Sequence, residues 1–220
     1  MKLQTLRRNG GIAAAAIALS LTLAACGEED EPTSGSSSDD TSQTPDTTEE
    51  SSPASASASD QVFGDGCSAV PTDGKGSFDG MVMDPVATAA SNNPLLSTLV
   101  EAVGVADLGG TLNDAPELTV FAPVNDAFAA IPADQLKGIL ADKALLSKIL
   151  THHVVGGKLD PTAVAGEQET LNMDGLTVEG DAESGMTVSD GTVTANVICG
   201  NVPTANATVY IIDAVLAGAK

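Results

Sequence analysis

The spacing of apolar residues changes three times along this chain, and each change marks a different kind of segment. Gly10 to Ala25 is an almost unbroken apolar run, residues 27 to 60 hold no apolar side chain larger than alanine, and the remainder alternates between helical and strand-like periods. In the helical part, Val86, Ala89 and Ala90 fall on one face, with Asp84 read as the N-cap and Pro85 as the first turn. Asn92-Asn93-Pro94 ends that helix and opens another, on which Leu95, Leu96, Leu99, Val100 and Val103 recur before a stop expected at Gly104. Ile131-Pro132 begins a helical pair. Leu136, Ile139 and Leu140 stripe the first member, and Asp142 caps a second that carries Leu145, Leu146, Ile149 and Leu150.

Between these helices lies Leu118 to Phe128, read as a buried strand that runs straight into a helix start. Pro123 removes a ladder donor, and Asn125 is placed to cap the helix with Asp126 in its first turn. Thr151 to Val155 reads as another strand, so that His152 and His153 would face opposite ways, one buried and one exposed. After Pro161 the β-like runs are Leu171–Met173, Leu176–Val178, Met186–Val188, Val193–Val197 and Thr208–Ile212, with Asp174-Gly175 and Asp190-Gly191 as turn signals. Val209 to Ile212 is apolar on both faces, which places that strand between a sheet neighbour and a helical layer. A helical first half and a β second half predict a single α+β domain over residues 63–220.

The two ends add a cellular address. Lys2, Arg7 and Arg8 precede the apolar run, and Leu23-Ala24-Ala25-Cys26 closes it, the pattern of a signal peptide over residues 1–25. That tetrapeptide resembles the bacterial lipobox, in which the Cys, here Cys26, becomes the lipid-bearing first residue. Arg7-Arg8 is followed by Asn9-Gly10-Gly11, which favours the general secretory route over the twin-arginine one. Residues 26–62 are rich in Ser, Thr, Pro, Asp and Glu and contain no Lys or Arg. Such a segment reads as a disordered acidic tether whose composition also allows O-glycosylation. The expected location is the outer face of the cell membrane, lipid-anchored, with shedding of some copies left open.

Charge narrows the partners. The chain carries a formal net charge of -21, and beyond residue 60 the only basic side chains are lysines 75, 137, 143, 148, 158 and 220. That balance excludes nucleic acid and bare anionic lipid as binding partners. Lys137, Lys143 and Lys148 are read as the solvated sides of their helices. With Cys26 assigned to lipid, Cys67 and Cys199 remain as the intramolecular pair expected in an oxidising compartment, clamping the N-terminal segment to a late hairpin.

No catalytic set assembles. There is no nucleophile elbow, P-loop or dinucleotide fingerprint, and no nucleophile, base and orienter occur together, so no enzyme and no cofactor are expected. Two histidines on opposite faces cannot share a metal, and Asp73 to Gly80 lacks the alternating ligands of a calcium loop. Asn206-Ala207-Thr208 matches a glycosylation triplet but leads into a core strand and is read as chance. As a separate expectation, Asp213 would be a buried acceptor for groups near Asn125.

Thr119-Val120-Phe121-Ala122-Pro123 with Asn125-Asp126-Ala127-Phe128 resembles the first signature box of the fasciclin domain family. Ala207 to Leu216, with Tyr210 and Asp213, resembles the second, and Ile149 to Val155, with His153, resembles the family's Tyr-His segment. The resemblance covers about Cys67 to Leu216. It implies a wedge-shaped β-sandwich with helices packed along one edge, a disulfide between Cys67 and Cys199, and an adhesive or protein-binding role without a catalytic centre. Two residues depart from the pattern: His152 stands where the family has Tyr, and Val124 where it usually has Thr. The leading expectation is therefore a membrane-tethered head that engages an extracellular or envelope protein. The alternative is a small-molecule or lipid-binding module, with a pocket between helices and sheet lined by Met81, Met83 or Met173.

Overall fold

The structure, a computed structural model, describes residues 57–217. The expected leader, the expected lipid-attachment residue Cys26 and most of the expected tether lie outside the described residues. Seven helices are α1 (Phe78–Met81), α2 (Val86–Ser91), α3 (Ser97–Ala106), α4 (Gly109–Asp114), α5 (Asn125–Ala129), α6 (Ala133–Ala141) and α7 (Lys143–His152). The strands are β1 (Leu118–Pro123), β2 (Val154–Gly156), β3 (Gly166–Glu169), β4 (Gly175–Asp181), β5 (Gly185–Ser189), β6 (Thr194–Pro203) and β7 (Ala207–Ile212). They form one sheet in the order β2-β1-β7-β6-β5-β4-β3, parallel between β1 and β7 and antiparallel elsewhere. Its two ends meet through a bridge between Val155 and Thr170, so a single sheet curls nearly into a barrel and supplies both layers of the expected sandwich.

β1 and β7 explain how the halves are joined. Every residue of both strands is buried. In β1, Leu118, Val120 and Ala122 face the helices, while Phe121 faces the interior of the curled sheet. In β7, Ala207, Val209 and Ile211 face the helices, and Tyr210 and Ile212 face inward. Period-two alternation thus splits each strand between two cores, as the doubly apolar run of β7 predicts. Tyr210 and Phe121 meet inside with ring centroids 5.7 Å apart, and the Tyr210 hydroxyl donates to the Leu159 carbonyl at 3.0 Å.

The N-terminal segment is fastened to β6. Cys67 and Cys199 form a disulfide with their Cα atoms 4.8 Å apart, Phe63 and Gly200 exchange two backbone hydrogen bonds, and Asn201 donates to the Gln61 carbonyl. The benzyl ring of Phe63 lies where a side chain on residue 200 would be, which is why only glycine fits there. Residues 57–62 pack as well, with Ala58 buried and the Asp79 carboxylate accepting from the Ser57 hydroxyl and the Ala58 amide, so packing extends upstream of residue 63.

Several boundaries differ from the sequence reading. α3 continues past Gly104 to Ala106 and ends on Asp107, which adopts a left-handed φ of 58°. The apolar triplet Leu171–Met173 forms a turn, and β3 instead uses the exposed Gly166–Glu169, whose polar side chains give no strand signal. Thr151 and His152 belong to α7, and only Val154 onward is strand.

Candidate functional site

The helix-to-strand junction at His152 and His153 gathers more buried polar chemistry than any other place among the described residues. Both rings are buried, at 1% and 3% exposure, which overturns the expectation that one is exposed. They are not on opposite sides of a strand either, because the last turn of α7 sets them edge to face with centroids 6.1 Å apart.

His153 is a structural tie. The Leu216 amide donates to its Nε2 at 3.0 Å, so that nitrogen is unprotonated and Nδ1 carries the hydrogen, which it donates to the Ile149 carbonyl at 2.8 Å. Burial drives its pKa down to about 4; the bond to Ile149 opposes that shift, while the neighbouring His152 adds to it. The ring therefore stays neutral and locks the chain after β7 onto α7.

His152 works differently. Its Nδ1 lies 2.6 Å from Asp174 Oδ1, and its Nε2 lies 3.8 Å from Asp190 Oδ2, beyond hydrogen-bond distance. Asp174 is the hub of the turn that follows β3. Its carboxylate also accepts from the Thr170 hydroxyl and from the Asn172 amide, and its backbone carbonyl accepts from the Thr170 amide. Burial alone would raise its pKa, but the bonds from Thr170, His152 and Asn172 outweigh it and hold the carboxyl below its ordinary range. Asp190 plays the matching part between β5 and β6, accepting from the amides of Thr192 and Val193. So His152, in the position of the family's Tyr, sits beneath two adjacent turns.

The other signature residues are dispersed and structural. Thr119 Oγ1 donates to the Gly157 carbonyl and accepts from the Leu159 amide. Pro123 closes β1, and the next amide, Val124, bonds to Ile212. Phe128 is buried on α5. Asn125 does not cap its own helix. Its side chain reaches back to accept from the Thr98 amide and donate to the Pro94 carbonyl, holding the start of α3. Asp213 is exposed and accepts from the amide and side chain of Asn196, so it is not the buried partner of Asn125. Asp84 is likewise no cap for α2. The Val86 amide donates to Asn206 and the Ala87 amide to Asn113, both distant in sequence.

Asn206 is the residue the sequence reading missed. It is buried, and its amide nitrogen also donates to the Leu112 and Ala115 carbonyls at 2.8 Å each, so it caps α2 and α4 from the mouth of β7. A glycosylation triplet with its acceptor nitrogen so engaged is unavailable. The available signal was a lone amide inside an apolar string entering a doubly buried strand.

Of the three methionines expected to line a pocket, Met81 borders a cavity of only about 30 Å³ between helices and sheet, whereas Met83 and Met173 are 78% and 85% exposed. A second cavity there, of about 50 Å³, is lined by Val86, Leu99, Val103, Val120 and His153 among others. Among the described residues no group of three His, Cys, Asp or Glu side chains is arranged to hold a metal ion.

The profile of the fasciclin domain matches residues 94–218. The chain belongs to the fasciclin domain family. It is 44% identical over 191 residues to the cell surface glycolipoprotein MPB83 of Mycobacterium bovis, covering 81% of this chain and 84% of that protein. It is 45% identical over 168 residues to the immunogenic protein MPT70 of Mycobacterium tuberculosis, covering 72% of this chain and 83% of the other. A solved fasciclin domain pair from the insect cell adhesion molecule fasciclin I shares 26% identity at a TM-score of 0.46, over 56% of this chain and 45% of that one. Among the described residues this fasciclin domain therefore combines seven α-helices and a nearly closed seven-stranded sheet, with its signature residues spent on holding α3, α7 and the β1–β7 pair in register.

Proposed function

We propose that this fasciclin-domain protein is a non-catalytic adhesion or protein-binding head, moored to the outer face of the bacterial membrane by lipid on Cys26. The observation that carries the reading is its similarity, over four-fifths of its length, to a protein named as a cell surface glycolipoprotein, taken with its own Leu23-Ala24-Ala25-Cys26. A single acyl chain binds a membrane only marginally, whereas the two or three chains of a bacterial lipoprotein give stable attachment. The acidic segment up to about residue 56 then serves as the spacer that carries the head away from the bilayer.

Adhesion suits a domain in which every signature side chain described above serves packing or capping, leaving the surface for recognition. Small-molecule binding is the weaker reading, because the cavity between helices and sheet, about 50 Å³, falls well short of the roughly 300–1,000 Å³ typical of ligand pockets, and the larger grooves lie open on the surface. The test compares wild type with Cys26→Ser in cells fed a labelled fatty acid. The expected outcome is label and membrane retention for wild type, and an unlabelled, released protein for the variant. Equal membrane retention of the two would remove the anchor from the proposal. Cross-linking on intact cells tests the binding half, and recovery of no protein partner at any ionic strength would remove it.

A further inference from the structure

The turn over His152 carries a feature that packing does not explain. Met173 is a bulky, non-glycine residue at a left-handed φ of 61°, yet 85% of its surface faces solvent. Such a conformation costs roughly 1–2 kcal/mol, and here nothing is buried in return. Leu171 beside it is 50% exposed. The turn holds them outward firmly: the Thr170 amide donates to the Asp174 carbonyl and its hydroxyl to the Asp174 carboxylate, the Leu171 amide donates to the Val154 carbonyl, and the buried His152 clamps Asp174 from below.

Charge surrounds this apolar tip. Met173 borders an open groove of about 630 Å³ in which the carboxylates of Glu167 and Glu169, both on exposed β3 positions, lie alongside. From Leu159 to Ala217 the chain has nine acidic residues and no Lys or Arg.

We infer that the Leu171–Met173 turn and the β3 glutamates form a docking site for a protein segment that presents Lys or Arg next to aliphatic side chains. The cations would meet Glu167 and Glu169 while the aliphatic groups cover Met173 and Leu171. An unbranched thioether adapts to varied apolar partners, and a turn fixed in advance loses little entropy on binding. Two nearer occupants are disfavoured by charge. The chain's own tether has no Lys or Arg, and a second copy would bring the same acidic face. The inference rests on the reading of this domain as a protein-binding head and names its surface.

The test titrates the full chain with a short peptide of alternating Lys and Leu, and with its Glu and Leu counterpart, while following backbone amide shifts. Met173→Gly is the informative variant, because glycine accepts the positive φ and keeps the turn while deleting the side chain. The expected result is shifts confined to residues 167–177 and 189–191, binding that weakens with added salt, and about a tenfold loss in Met173→Gly. The Glu and Leu peptide should not bind. Shifts spread over the helical half, equal binding of both peptides, or undiminished binding by a folded Met173→Gly would each overturn the site. An envelope protein that cross-links equally well to Met173→Gly would overturn this surface and leave the proposed function standing.

Discussion

The His153 ring couples this fold to pH. Its Nε2 must stay unprotonated to accept from Leu216, and burial lowers its pKa from 6.5 to about 4. Below pH 6.5 the unfolded chain takes up a proton on this residue while the folded chain does not. Stability is therefore full above that pH, falls as the pH drops, and stops falling from this source near pH 4. Each unit contributes about 1.4 kcal/mol, so urea unfolding at pH 6.5 and pH 5 should differ by about 2 kcal/mol through this ring. His153→Asn should be less stable at neutral pH and should lose most of that slope between pH 5 and 6.5, where few carboxylates titrate. A slope unchanged in the variant would assign the acid sensitivity elsewhere.

At the level of elements, two helix starts are set by amides supplied from far along the chain. α2 takes Asn206 and Asn113 and α3 takes Asn125, whereas α1 and α7 take caps from their own sequence, Ser77 accepting from Gly80, and Asp142 accepting from Ala144 and Leu145. Asn206→Ala would strip the Val86 amide and two carbonyls of their buried partner, at a cost of about 1–3 kcal/mol for each group left unpaired. A loss of about 3 kcal/mol in thermal or urea unfolding is expected, with α2 and α4 losing hydrogen-exchange protection first. These long-range caps also mark what the sequence could and could not reveal. The β1 and β7 runs and the α7 stripe were legible because their own residues dictate them by periodicity. Asp84 and Asn125 misled because capping was judged from neighbours in sequence, and the winning partners lie in space. β3 was invisible because its face is solvent, and Leu171–Met173 imitated a strand because apolar residues placed outward look the same as apolar residues placed inward. The exposed Leu171–Met173 tip was missed for that same reason, whereas His152, His153 and the Asp174 and Asp190 turns were legible as residues but not as one buried group, because the strand reading sent the two rings to opposite faces.

For the domain as a whole, the decisive circumstance is that β1 and β7 line both cores. The helical core holds Leu99, Leu118, Val120, Val209 and Ile211, and the barrel interior holds Phe121, Val188, Tyr210 and Ile212. Because this parallel pair and its neighbours β2 and β6 all contribute side chains to both cores, neither half can lose its core while the other keeps a complete one. The disulfide adds to this coupling by tying the segment before α1 to β6, beside β7. Leu99→Ala, in the helical layer, and Val188→Ala, at the far side of the barrel, should each cost about 2–4 kcal/mol through lost burial and a cavity. If the halves are one cooperative unit, calorimetry of each variant should show a single transition moved downward, with the calorimetric and van't Hoff enthalpies still equal. Because Leu99 and Val188 lie in separate clusters, their effects should add in the double variant. Splitting of the transition in Leu99→Ala, with the barrel melting later, would show that β1 and β7 can serve one core alone, and would separate the helical layer from the sheet as an independently opening unit.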